Sequence, residues 1–180
     1  MFLGLLAIAN AADILTFKIT DFQGSALDLT SGSPSSLTPV QSVMLISNRQ
    51  WMFIYAAHGD ENEYRIINVA GSSILSYTTA NDNVQGPAPA IHTQIVGNQN
   101  VSTNWDVLSV PKGYVNFIEK QTRLAITAWP VGNGSSRSSP LTLEEYDARN
   151  PRQVFKLTQR ASNSSLHSIP LTRIEMEAPV

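Results

Sequence analysis

Side chains that carry acid–base or nucleophilic chemistry are few and scattered in this sequence. The histidines are His58, His92 and His167, and there is no cysteine. No serine–histidine–aspartate order, His-Glu-x-x-His pair or glycine-rich phosphate loop is present. Without cysteine, thiol catalysis, cysteine-ligated zinc and disulfides are excluded. We therefore expect no catalytic residues, no metal site and no cofactor.

Two groups of acidic residues could serve catalysis only if separate carboxylates faced each other across a cleft. His58 stands close to Asp60 and Glu61, between two of the repeats described below, and we interpret this group as a solvated turn. Glu144 and Glu145 are adjacent, so on a strand their side chains point to opposite faces. A glycosidase needs two facing carboxylates at a defined separation. The pattern favours a protein that is not an enzyme.

Composition limits the partners. The chain has 180 residues, a net charge of −2 and only 14% charged residues, so it cannot present a basic stripe. Nucleic-acid binding and attachment to an anionic membrane surface both require such a stripe, and we expect neither. With 42% hydrophobic residues, the chain is long enough to fold as one domain around an apolar core.

The elements that position any site are predicted to be strands. Long helical periodicity is missing, and short alternating segments are separated by Gly, Pro, Ser and Asn. An internal repeat divides these segments into three similar parts. A polar turn residue follows the first strand of each part, at Asp21, Asn68 and Glu119. Each part closes on an aromatic residue, at Trp51, Trp105 and Phe155.

Three such units in an all-β chain of this size resemble a β-trefoil. The closing motif resembles the Gln-x-Trp signature of the ricin-B-type lectins over about residues 14 to 158. Gln153-Val154-Phe155 keeps the Gln-x-aromatic form, whereas the other two closings read Arg49-Gln50-Trp51 and Thr103-Asn104-Trp105. The resemblance implies three four-stranded repeats with pseudo-threefold symmetry. It also implies that the three closing aromatics are structural and lie in the shared core.

The predicted organisation has three parts. Residues 1–11 read as a signal peptide, because an apolar run ends in the small-x-small sequence Ala9-Asn10-Ala11. Residues 12–159 form the trefoil, with repeats at about 14–57, 62–108 and 112–158. Residues 160–180 form a C-terminal extension that lies along the domain, binds a partner or is a loosely ordered terminus. The leader and three N-glycosylation sequons, at Asn100, Asn133 and Asn163, favour secretion.

The resemblance also implies candidate site residues. A lectin repeat of this type offers a carboxylate on its second strand, a glutamine before an aromatic platform, and an asparagine ahead of the closing tryptophan. The first repeat matches with Asp28, Gln41 and Asn48, but Val43 stands at the platform position. The corresponding residues are Ser76, His92 and Ser102 in the second repeat, and Ala125, Thr142 and Arg152 in the third. Replacement platforms are expected among Tyr77, Trp129 and Tyr146.

Three functions fit this reading. The first is a lectin that binds a glycan or glycoprotein through its first repeat. The second is a small non-catalytic subunit that stabilises a larger secreted oxidase, as in heterodimeric fungal laccases, by binding its folded state. The third is a trefoil protease inhibitor that uses a protruding loop at residues 33–39 or 86–89.

Overall fold

The computed structural model describes residues 15–44, 50–56, 62–78, 91–101, 103–131 and 137–159. The signal peptide predicted at 1–11 and the extension at 160–180 lie outside these ranges. The described residues form twelve strands and two short 3-10 helices, Thr30–Gly32 and Pro151–Gln153. None of the described helical segments has the length and apolar character needed to cross a bilayer.

The twelve strands fall into three sets of four in chain order. The first set is β1 (Leu15–Thr20), β2 (Ala26–Leu29), β3 (Thr38–Val43) and β4 (Trp51–Tyr55). The second is β5 (Glu63–Asn68), β6 (Ile74–Tyr77), β7 (Thr93–Asn98) and β8 (Trp105–Val110). The third is β9 (Tyr114–Glu119), β10 (Ala125–Ala128), β11 (Ser138–Glu144) and β12 (Phe155–Gln159).

Strand pairing closes a barrel and caps it. The first and fourth strands of each set pair antiparallel in the ring β1–β4–β5–β8–β9–β12 and back to β1. The second and third strands form the hairpins β2–β3, β6–β7 and β10–β11. These hairpins meet through β3–β7, β7–β11 and β11–β3. A six-stranded barrel capped by three hairpins is a β-trefoil, so the predicted fold is confirmed.

The closing aromatics lie at the centre of this arrangement. Trp51, Trp105 and Phe155 have no exposed surface and belong to one hydrophobic core. The Trp51 indole N–H donates to the Leu27 carbonyl oxygen at 3.0 Å, and that of Trp105 donates to Leu75 at 2.9 Å. Each indole thus joins the fourth strand of its repeat to the second strand of the same repeat.

The repeated polar turn residues hold the first hairpin of each set. Asp21, Asn68 and Glu119 are all buried. Each donates its backbone N–H to the carbonyl of the residue just before the second strand, over 2.8–2.9 Å. Each side chain also accepts two or more bonds from backbone N–H groups of its own turn. The sequence repeat therefore corresponds to a repeated hydrogen-bonding pattern that fixes the turn.

Candidate functional site

The strand register brings two of the predicted site residues together. Asp28 on β2 lies directly opposite Gln41 on β3. Both are half-buried, whereas Leu27 and Leu29 on either side of Asp28 are buried in the core. Side chains directly opposite on one sheet face have Cβ atoms about 4.5–5.5 Å apart. A carboxylate and an amide therefore share one face of the first cap hairpin.

The surroundings of this pair are partly apolar. Val43, at the predicted platform position, is half-buried on the same face two residues after Gln41. Pro140 of the third repeat is exposed and lies opposite Gln41 on the other side of β3. Asn48, the third predicted residue, lies outside the described residues. The first-repeat site thus has two polar groups in register, and a valine stands where the lectin pattern places a stacking ring.

Two of the sequence-based equivalences in the other repeats are wrong. Thr20, Ile67 and Ile118 pair with Ala26, Ile74 and Ala125, respectively. Counting from these pairs, the equivalents of Asp28 are Ser76 and Thr127, so Ala125 is displaced by two positions. Leu124, the apolar residue before Ala125, belongs to the turn that precedes β10, where its carbonyl accepts the Glu119 N–H.

The second displaced residue is His92. The cross-strand partners of Ser76 and Thr127 are Val96 and Thr142, so these two residues are the equivalents of Gln41. His92 precedes β7 and lies four positions before Val96. The loop that precedes it varies in length between repeats, so residue counting through that loop does not preserve the register.

The corresponding positions of the second and third repeats are closed. Ser76 is buried, with its Oγ 2.6 Å from Thr103 Oγ1, and Val96 is buried beside it. Thr127 is also buried, and its Oγ1 accepts a bond from Gln153 Nε2 at 3.0 Å. In both repeats the partner stands two residues before the closing aromatic. The equivalent residue of the first repeat, Arg49, lies outside the described residues.

Sequence reasoning missed a cluster on the third repeat, which we name the Trp129 cluster: His92, Trp129, Thr142, Glu144 and Arg152. The Trp129 Nε1–H donates to Thr142 Oγ1 at 2.8 Å, and the Thr142 hydroxyl donates to Glu144 Oε1 at 2.5 Å. His92 Nδ1 lies 2.9 Å from the same carboxylate oxygen. The Arg152 guanidinium carbon lies 5.1 Å from the Trp129 ring centroid. The sequence indicated Trp129 as a replacement platform and His92, Thr142 and Arg152 as separate repeat positions, but not that the four lie together.

The other two expected platforms differ from Trp129. Tyr77 is buried, and burial, together with the Glu119 carboxylate, raises the pKa of its phenol. The expectation that Tyr77 offers an exposed ring is therefore wrong. Tyr146 is exposed, and its hydroxyl donates to Asn116 Oδ1 at 3.3 Å. Trp129 is half-buried, and its ring contacts the Thr142 hydroxyl and the Arg152 guanidinium.

The remaining predicted positions are only partly described. Asn100, the first sequon asparagine, is exposed in the turn after β7. Asn133 and Asn163 lie outside the described residues, as does the loop at 86–89. Among the described residues, no group of three or more His, Asp or Glu side chains is arranged to hold a metal ion.

Solved structures share this fold. The Rhizoctonia solani agglutinin matches with a TM-score of 0.66 at 15% identity, over 89% of this chain and 100% of that chain. The Macrolepiota procera ricin B-like lectin, solved with lactose, matches with a TM-score of 0.59 at 16% identity, over 81% of this chain and 95% of that chain. An exo-β-1,3-galactanase from Clostridium thermocellum matches with a TM-score of 0.65 at 17% identity, over 83% of this chain but only 31% of the galactanase chain.

Identities this low show the β-trefoil fold alone. No protein-family model and no curated protein matches the sequence. What the chain binds must therefore be argued from its own residues.

Proposed function

We propose that this protein is a secreted, non-catalytic module that binds carbohydrate, free or on a glycoprotein, through its first repeat. The observation that carries the proposal is the direct pairing of Asp28 with Gln41, both half-buried, on the face of the first cap hairpin that does not carry the buried Leu27 and Leu29. A carboxylate accepts hydrogen bonds from sugar hydroxyls, and an amide both donates and accepts. We place Asn48 in the same site as the third polar group, following the lectin resemblance.

The neighbouring structures support this function without assigning it. The Rhizoctonia protein is an agglutinin, and the Macrolepiota lectin was solved with lactose. Secretion is supported by the predicted leader at 1–11 and by the exposed position of Asn100 in its sequon. Because Val43 replaces a stacking ring, we expect the first-repeat site to bind sugar weakly.

Asp28→Asn tests the site while keeping the shape of the side chain. We expect it to weaken binding of whichever glycan the wild type selects from an array by about tenfold or more. The reason is that a hydrogen bond to a charged group contributes about 1.5–3 kcal/mol, and 1.4 kcal/mol corresponds to tenfold. Isothermal titration calorimetry of the selected glycan with both proteins measures the difference.

Glu145→Gln is the matched control, because it also removes one carboxylate charge but from an exposed position outside the first repeat. We expect its affinity to equal that of the wild type. Equal affinities for wild type and Asp28→Asn would remove Asp28 from the site. If the wild type binds no glycan on the array, the carbohydrate-binding proposal itself is wrong.

A second candidate is an accessory part of a larger secreted enzyme. The galactanase supports it, because this fold there makes up only about a third of a longer catalytic chain. The partner we propose is a secreted oxidase such as the large subunit of a heterodimeric fungal laccase, held by residues 160–180. Purification from native culture medium would then yield a complex, and deletion of residues 160–180 would dissociate it. We rank the protease inhibitor last, since no primary-specificity residue stands out in its candidate loops.

A further inference from the structure

The backbone around Trp129 is held from several sides. Its carbonyl oxygen accepts bonds from Ser139 Oγ at 2.6 Å and from Gln23 Nε2 at 3.3 Å. Its indole N–H is fixed by Thr142, as described above. The half-buried ring is therefore set in place before any ligand arrives, which lowers the entropic cost of binding.

The acidic member of the Trp129 cluster is already engaged. Glu144 has a side chain only 14% exposed, and its Oε1 contacts both the Thr142 hydroxyl and His92 Nδ1. The His92 ring is 74% exposed, and its backbone N–H donates to the Leu143 carbonyl at 2.8 Å. The Glu144 carboxylate thus orients the His92 ring, and the imidazole is the solvent-exposed member of this pair.

Arg152 adds a guanidinium to the cluster. Its guanidinium stacks on the indole of Trp129. Within the described ranges, no carboxylate forms an ion pair with it. A guanidinium that lies over a ring keeps its N–H groups in its own plane, where they can bind a carboxylate through two parallel bonds. The outward chemistry of the cluster is therefore donor-rich.

We propose that the Trp129 cluster is a second binding site, and that its ligand is a saccharide carrying a carboxylate group. Arg152 binds the carboxylate, His92 contacts a ring hydroxyl, and the exposed Pro130 and the indole edge pack against the sugar's C–H groups. The inference rests on the proposed saccharide-binding function but uses other residues. Thr142, Glu144 and Arg152 stand at this repeat's counterparts of Gln41, Val43 and Asn48, and the buried Thr127 stands at that of Asp28. None of the four is the residue type that the lectin pattern requires, so the binding chemistry here comes from Arg152, Trp129 and His92.

The three indole N–H groups give a direct readout in a two-dimensional ¹H–¹⁵N NMR spectrum. Those of Trp51 and Trp105 are buried and bonded to backbone carbonyls, so they report that the fold is intact. The probes are methyl glucuronide, the neutral methyl glucoside and sodium acetate. We expect methyl glucuronide alone to shift the Trp129 indole resonance in a saturable way, leaving the other two unmoved.

Arg152→Gln should weaken the binding of methyl glucuronide by about tenfold or more, because a charge-assisted pair is lost. Arg149→Gln is the matched control, since Arg149 is exposed in the same loop and the charge change is identical. We expect Arg149→Gln to bind like the wild type. Equal loss in both variants would show a general charge effect and overturn the site.

Other outcomes overturn the inference separately from the proposed function. Equal shifts with glucuronide and glucoside would remove the carboxylate requirement, and equal shifts with acetate would show a free-anion site. No shift with any probe would remove the second site. None of these outcomes bears on the first-repeat site, which is tested separately by the glycan array and by Asp28→Asn.

Discussion

Trp105→Ala is expected to destabilise the folded chain by about 3–5 kcal/mol. The indole has no exposed surface, so its removal leaves a cavity where the three repeats meet. It also leaves the Leu75 carbonyl without the indole N–H that it accepts at 2.9 Å. Urea unfolding followed by far-UV circular dichroism measures the free energy of unfolding, independently of the lost fluorophore.

Two variants test whether this loss comes from the core position. Trp105→Phe should cost clearly less, because Phe155 already occupies the equivalent place in the third repeat. Trp129→Ala removes the same side chain from a half-buried surface position, where less packing is lost. An equal cost for Trp105→Ala and Trp129→Ala would contradict a shared core built on the closing aromatics.

Asp21→Ala is expected to cost about 2–4 kcal/mol, because each buried polar group left without its partner costs about 1–3 kcal/mol. Asp21 Oδ1 accepts the backbone N–H groups of Gln23 and Ser25 at 2.8 and 2.9 Å. Its other oxygen accepts the hydroxyl of Ser42 on β3. The carboxylate therefore ties the turn after β1 to the cap hairpin. Thermal and urea unfolding would both report its loss.

Asp21→Asn separates the turn from the charge. In the second repeat Asn68 performs the same role, with its Oδ1 accepting Ala70 N–H and Gly71 N–H at 3.1 and 2.9 Å. We therefore expect Asp21→Asn to retain the turn and lose clearly less stability than Asp21→Ala. If the two variants were equally destabilised, the carboxylate charge rather than the turn geometry would be the important feature.

The threefold repeat and the β-trefoil fold could be predicted from the amino-acid sequence. The turn residues Asp21, Asn68 and Glu119 form hydrogen bonds with backbone groups only a few positions away. Their role is local, so it appears in the sequence as a polar residue at the same place in each repeat. The closing aromatics leave a similar trace, because each repeat must contribute one large apolar side chain to a shared centre. Period and residue type therefore predicted the fold and its core.

The sequence suggested a common site for Asp28 and Gln41 only through the resemblance to the lectins. The β2–β3 register shows that the two residues lie directly opposite each other. The Trp129 cluster could not be anticipated at all as a cluster. His92 immediately precedes β7, Trp129 immediately follows β10, and the other members lie on β11 and in the helix before β12. The β7–β11 pairing brings His92 beside Glu144.

Contacts between repeats depend on which strands pair and in what register, and local periodicity does not encode either. His92 was misplaced because loops of unequal length shift residue counts while hydrogen-bonded ladders do not. Ala125 was misplaced because the apolar turn residue Leu124 resembles the start of a strand. The order of residues thus specified the repeating frame, and the packing of the three hairpins decided which surface groups meet.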